Sequence, residues 1–383
     1  MIIENNLQLV LLIIFLVLLF NYLLFLFKVL FGLKKLVSSK TENISSEFIS
    51  VIIPFRNEEE NILNNLKSIE AQDYLKDKFE VVYVNDSSED QSIEILKKNI
   101  LSSNIKVLSV PKDFSPSAHK KRAIRFGIEN SKGEIIVTTD ADCIYNSEWL
   151  SSLINNFDQQ TAFISGPVEF IKSKYLFGQI QKLEFAGLVL TGAGLIGSGI
   201  PTICNAANIA YRKKVFKEVG GFKDQMELTS GDDELLMQKI AKDTYYRVKF
   251  SIDQKTIVST PANKSISEFY QQRKRWASKG LFYRDKTLVF KLILIYLFFL
   301  GLTAQLALAI FYNWIYLISF SLSFLLKMVI EFKILSQGKK LLFKNLSLKF
   351  FIISELIHIP YITIAGLVGS FGNYFWKERK IKR

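Results

Sequence analysis

Two aspartates flanking one alanine, Asp140-Ala141-Asp142, close the apolar run at 134–138. In an extended chain, side chains two positions apart point the same way, so this pair can share a cation. Magnesium or manganese takes such carboxylates together with waters and substrate phosphates, which suits the pair to phosphate-ester chemistry. Taken alone, Asp-Ala-Asp is equally a helix cap. Asp86 sits in Asn85-Asp86-Ser87-Ser88-Glu89-Asp90 after another apolar run, where a nucleotide base would rest, although turn chemistry explains it as well. Gly231-Asp232-Asp233-Glu234 opens a helical pattern through Leu235, Leu236 and Ile240. Acids are favourable at a helix start, and this cluster also offers a general base for an acceptor hydroxyl. Gln272-Arg273-Lys274-Arg275-Trp276 lies in a basic amphipathic stretch at 265–279. Such a helix is commonly an interfacial anchor; Arg275 can also clamp a diphosphate, and Trp276 offers a face to a sugar ring.

The elements that must hold these residues follow a regular alternation. Apolar runs at 48–53, 80–84, 105–109 and 134–138 predict strands, and 59–72, 92–100 and 120–129 predict helices, the first with Ile62, Leu63, Leu66 and Ile69 at helical spacing. This order predicts an α/β fold with a mostly parallel sheet covered on both faces and ligands at the carboxyl ends of the strands. Pro54-Phe55-Arg56-Asn57-Glu58 is a further polar cluster that follows a strand. Residues 188–200 are apolar but carry Gly192, Gly194, Gly197 and Gly199, which predicts a loop or packed turn rather than a membrane span.

Long apolar segments enclose this domain. Residues 9–33 have the length of a membrane-crossing helix, without the basic start and small-residue cleavage site of a secretory signal. No Lys or Arg precedes Lys28, whereas Lys28, Lys34, Lys35 and Lys40 follow in quick succession, which predicts an outside N-terminus and a cytoplasmic domain. Two more spans are expected at 290–311 and 314–332, turning at Asn313, with Lys333, Lys339, Lys340 and Lys344 back in the cytoplasm. Residues 350–375 are interrupted by Glu355, His358 and Pro360 and lead into a basic tail, so a plain span and a hairpin bent at Pro360 both fit. The division expected is a span at 1–36, a catalytic domain at 45–285 ending in an interface helix, and a membrane region at 286–383. The net charge of +13 is concentrated beside the apolar segments, which points to membrane lipids rather than nucleic acid. Cys143 and Cys204, the only cysteines, have no metal-ligand or redox spacing.

Taken in order along 48–280, the motifs resemble the family 2 glycosyltransferases of GT-A fold, in the membrane-embedded branch that includes cellulose, chitin and hyaluronan synthases. The resemblance implies a nucleotide-sugar donor and Mg2+ or Mn2+. It assigns Pro54, Asn57 and Glu58 to nucleoside contacts, Asp86 to the uracil base of a UDP-sugar, and Lys120, with Ala123, to the nucleotide pocket. It makes Asp140 and Asp142 the metal motif, with Asp142 the direct ligand, and Asp233 the base, beside Asp232. The Gln-x-x-Arg-Trp signature falls on Gln272, Arg275 and Trp276, which implies contacts to acceptor and diphosphate. Gly231-Asp232 departs from the family's Thr-Glu, and few spans favour single addition to a lipid-linked or glycan acceptor over processive polysaccharide synthesis. A membrane nucleotidyl- or phosphotransferase would use the same acids but leave the Gln-x-x-Arg-Trp residues unexplained. A non-catalytic scaffold would leave the whole set of motifs without a purpose.

Overall fold

The computed structural model describes residues 2–37, 47–114, 119–223, 231–277, 283, 285–369, 374–376 and 379–381. Lys40, Lys279 and most of the basic tail therefore lie outside the described residues. The chain forms two compact units, one of residues 31–262 and 338–345, the other of 1–30, 263–337 and 346–383.

The chain opens with helix α1 (Ile2–Val37), followed by β1 (Ile49–Phe55), α2 (Ile62–Glu70), β2 (Phe79–Asn85), α3 (Ser92–Asn99), β3 (Ile105–Ser109), α4 (His119–Glu129) and β4 (Ile135–Thr138). Next come β5 (Ile144–Tyr145), α5 (Trp149–Ile154), β6 (Thr161–Ser165), β7 (Val168–Phe170) and α6 (Leu176–Gly197). The first unit closes with β8 (Ile209–Arg212), α7 (Lys213–Glu218), α8 (Glu234–Asp243), β9 (Arg247–Phe250) and β10 (Val258–Thr260). Seven strands form one sheet in the order β3-β2-β1-β4-β8-β6-β9, in which β8 alone runs against the others. β1, β2 and β4 are buried along their whole length, as parallel strands covered on both faces must be. The chain builds outward from β1 through β2 to β3 and then returns to β4 on the other side of β1. That reversal makes a crevice at the carboxyl ends of β1 and β4. The β1–β4 ladder ends at the pair Ile52–Thr138, so Pro54, which has no amide hydrogen, lies beyond it and interrupts nothing. A smaller sheet, β5-β10-β7, lies in the same unit.

The glycine-rich stretch corrects the sequence reading: through Gly197 it is the second half of α6. Each glycine costs a helix about 1 kcal/mol relative to alanine, which is why a loop was expected. Here the absence of side chains lets two helices touch backbone to backbone. A Cβ on Gly32 of α1 would strike the Gly194 carbonyl, and one on Gly197 would strike the Gly32 carbonyl. α6 is long and apolar enough to cross a membrane, but two-thirds of it is buried.

The other unit holds α9 (Ile266–Ala277), α10 (Lys286–Phe311), α11 (Ile315–Leu341, through Gln337) and α12 (Phe351–Gly369), with the short pair β11 (Tyr374–Trp376) and β12 (Arg379–Ile381). α9, expected to close the catalytic domain, thus falls with the apolar helices. α1, α10 and α11 are each long and apolar enough to span a membrane. α12 runs as one helix through Pro360 and does not turn back there. Charges inside this unit are paired: Lys327 donates to Glu331 at 2.8 Å and to Glu355, and Tyr22 donates to Glu331 at 2.5 Å. Glu331, Glu355 and His358 could by proximity hold a metal, but the Lys327 ammonium already serves the two carboxylates.

Candidate active site

The loops after β1 and β2 are tied to each other at the crevice. Asn57 has a φ of 50°, a left-handed conformation that asparagine tolerates better than most residues. Its Oδ1 accepts from the Glu89 amide at 2.9 Å, and its own amide donates to Ser88 Oγ at 3.2 Å. The Glu58 amide donates to Ser92 Oγ, and Glu58 Oε2 accepts from Asn61. Arg56, buried, donates to the carbonyls of Asp86 and Ser87 and to Glu89 Oε1. Asp86 is held at both ends: its amide donates to the Phe55 carbonyl, and Arg122 of α4 donates to Oδ1 at 2.6 Å. Asn57 and Glu58, expected at the nucleoside, thus also serve as braces between loops. The roles of Arg56 and Arg122 escaped the sequence reading, because nothing local marks which distant groups a cation will meet.

Asp140-Ala141-Asp142 is a turn, not the extended segment expected, with the Cys143 amide donating to the Asp140 carbonyl at 3.2 Å. It leads into β5 and caps no helix. A buried polar network holds it. Asn65 of α2, fully buried, donates through Nδ2 to the carbonyls of Cys143 (2.8 Å) and Asp140 (3.2 Å) and to the Tyr145 hydroxyl (2.8 Å). Its Oδ1 accepts from Tyr83 at 2.6 Å. Thr139 Oγ1 lies 2.9 Å from the Tyr145 hydroxyl and donates to the Ala207 carbonyl at 2.7 Å. Asn65 was findable in sequence: it is a polar residue three positions after Ile62, on the apolar stripe of its helix.

Lys120 joins this turn to the second acidic cluster. Its Nζ lies 2.5 Å from Asp140 Oδ1 and 3.6 Å from Asp232 Oδ2. Burial works against its charge, but Asp140, then Asp232 and Asp233, hold the ammonium well above the usual lysine range. Asp233 is the N-cap of α8: Oδ1 accepts from the Glu234 amide at 2.7 Å and Oδ2 from the Ala206 amide at 3.0 Å. Gly231 has a φ of 85°, where a side chain would be strained, and a Cβ there would meet Leu235. This accounts for a glycine at position 231. Ala123, on the same helix α4 as Lys120, is fully buried.

The donor set fits a hard divalent cation. Asp142 and Asp140 are partly exposed carboxylates on one turn, the hard oxygen donors such an ion takes. The neighbouring Cys143 is fully buried, and burial, then Asp142 and Asp140, raise its thiol well above the ordinary range.

Gln272, Arg275 and Trp276 lie on α9, in the other unit, each half-buried. Gln272 Oε1 accepts from Asn263 at 3.1 Å. The buried cation of this helix is Arg273, whose guanidinium lies 4.2 Å from the Trp276 ring centroid and 4.7 Å from that of Phe269. Arg273 therefore takes one face of the indole expected to receive a sugar.

Comparison with known proteins identifies the family of this domain and its fold. The profile of glycosyl transferase family 2 matches residues 50–220, so the sheet-bearing unit carries a domain of that family. The glycosyltransferase AglE of Haloferax volcanii is 28% identical over 208 residues, 54% of this chain and 65% of that protein. The poly-beta-1,6-N-acetyl-D-glucosamine synthase of Staphylococcus epidermidis is 22% identical over 301 residues, 76% of this chain and 68% of that protein. Among solved structures, the mannosyltransferase PcManGT from Pyrobaculum calidifontis, in complex with GDP-Man and Mn2+, superposes with a TM-score of 0.59. It is 18% identical, and the match covers 94% of this chain and 98% of that one. That likeness places the α/β unit in the GT-A fold.

Proposed function

We propose that this chain, with its glycosyl transferase family 2 domain at 50–220, transfers a sugar with inversion from a nucleoside-diphosphate sugar to a lipid-linked or glycan acceptor at a membrane surface. The observation that carries the reading is the Lys120 bridge, which gathers Asp140 and Asp232 beside Asp233 at the switch-point crevice. Asp86, fixed by Arg122, borders the nucleoside end of the pocket. Asp233 takes the proton from the acceptor hydroxyl as that oxygen attacks the anomeric carbon, and its two backbone donors orient the carboxylate. Asp140 and Asp232 together hold the Lys120 ammonium between them. Asp142, with Asp140, would hold Mg2+ or Mn2+, which supplies neutralisation of the leaving diphosphate when bound. The resemblance of the Gln-x-x-Arg-Trp signature is what supports a role for Arg275 toward the leaving group and for Gln272 and Trp276 toward the acceptor.

The charge asymmetry of the chain supports a cytoplasmic position for this domain, and the length and apolar character of α1, α10 and α11 support their crossing the cell membrane. The test is a panel of UDP- and GDP-sugars with Mn2+ or Mg2+, reading nucleoside diphosphate with and without membrane lipids. Metal-dependent release of nucleoside diphosphate is expected; release of pyrophosphate from nucleoside triphosphates instead would move the chain to the nucleotidyltransferases. No turnover with any donor would favour a scaffold.

A further inference from the structure

Away from the acidic crevice, the sheet-bearing unit has a concave groove of about 1180 Å³. None of Asp86, Lys120, Asp140, Asp142, Asp232 or Asp233 lines it. We infer that this groove binds the phosphate-bearing headgroup of an anionic membrane lipid.

Its rim carries six cations, Lys35, Arg247, Lys249, Lys255, Lys340 and Lys344, against two carboxylates, Glu148 and Asp253. Two of the cations are already used structurally, Lys249 with Asp158 at 2.7 Å and Lys255 with Glu148 at 2.5 Å. Arg247, Lys340 and Lys344 are exposed and form no ion pair among the described residues. They come from distant parts of the chain, β9 and the end of α11 with the loop after it, yet the fold draws them onto one concavity. Like charges gathered this way repel one another unless an anion sits among them. An arginine with two lysines matches a phosphate, the arginine contributing paired parallel donors.

The walls point to a lipid rather than a free phosphate. Leu36, Val37, Ile196 and Leu341 line the same groove, contributed by the ends of α1, α6 and α11. α1 and α11 are two of the helices long and apolar enough to cross a membrane. A headgroup at the mouth of such helices meets cations, while its glycerol and first methylenes meet the apolar wall. A soluble anion would make no use of that wall.

The inference rests on the membrane reading above, and its test separates the two. The full chain is placed in phosphatidylcholine nanodiscs with and without phosphatidylglycerol, and bound lipid is counted by native mass spectrometry after extraction. Wild type is expected to retain phosphatidylglycerol in preference to phosphatidylcholine. The triple variant Arg247→Gln, Lys340→Gln, Lys344→Gln should bind it about a hundredfold more weakly. Nucleoside diphosphate release should stay at the wild-type level, which reports that the variant is folded. Unchanged retention by the variant overturns the site, as does inorganic phosphate displacing the lipid at equal affinity. A chain that fractionates with membranes but shows no headgroup preference sinks the groove alone. Recovery in the soluble fraction sinks the membrane reading beneath it.

Discussion

Replacing Asn65 by leucine, close in volume but without polar atoms, tests whether the buried network positions the acidic turn. Asn65 Nδ2 has two hydrogens for three acceptors at 2.8, 2.8 and 3.2 Å, so one hydrogen is shared. In the variant the Tyr145 hydroxyl keeps Thr139, and the Asp140 carbonyl keeps the Cys143 amide. The Tyr83 hydroxyl loses its acceptor and the Cys143 carbonyl loses this donor, both in the interior. At roughly 1–3 kcal/mol for each buried group left unsatisfied, the loss is about 2–6 kcal/mol, a large share of a domain's stability. Because the Cys143 carbonyl belongs to the Asp140-Asp142 turn, the damage should reach the chemistry. A displacement near 1 Å at a reacting centre costs about a hundredfold in rate. Urea unfolding should therefore show the stability loss, titration with Mn2+ a weakened affinity, and nucleoside diphosphate release a fall of about two orders of magnitude. Tyr83→Phe is the control, since it cuts the network on the side away from the turn; about 1 kcal/mol should be lost with turnover nearly intact. If Asn65→Leu were destabilised but kept wild-type metal affinity and turnover, the network would be supporting the core and not the site.

Asp233→Asn should abolish transfer while donor binding survives, but its amide would face an N–H at Ala206 or Glu234, so a stability loss of about 1 kcal/mol is expected too; wild-type transfer by a folded variant would remove Asp233 as the base. Lys120→Met leaves the buried Asp232 without its cation, and donor affinity should fall at least about tenfold, with a stability loss of about 3 kcal/mol; equal affinity by calorimetry would refute the bridge. In wild type the raised lysine value means that this contribution is complete below the unfolded lysine pKa and fades only as pH climbs beyond it. Burial pushes Asp158 up, but Lys249, Thr161 and the Gln160 amide pull it down to about 2 from 3.8. Its contribution is present above the unfolded value and lost as pH falls through the folded one, so Asp158→Asn should flatten the stability profile between pH 3.8 and about 2; an unchanged acid limb would contradict the pairing.

Much of the α/β unit was legible because its signals are local. A buried strand of a parallel sheet is a short apolar run, and its helices carry apolar residues at helical spacing, so β1 to β4 and α2 to α4 could be placed from residue types alone. The acidic clusters were legible for the same reason. The misreadings arose where a distant partner reversed a local preference. The glycines of α6 look unhelical until Gly32 of α1 is packed against them, and Asp140-Ala141-Asp142 looks extended until Asn65 curls it into a turn.

The sequence by itself determined which residues carry charge, which strands the Asp86 and Asp140 clusters follow and which helix the Asp233 cluster opens, because composition and periodicity act over a few positions. Only the tertiary structure decided that Lys120 serves two aspartates from separate loops, that Asp233 is held by the Ala206 amide, and that Arg247, Lys340 and Lys344 share one groove. Coulombic and hydrogen-bond energies depend on separations of a few ångströms in space. For residues so far apart along a chain, folding alone sets those separations.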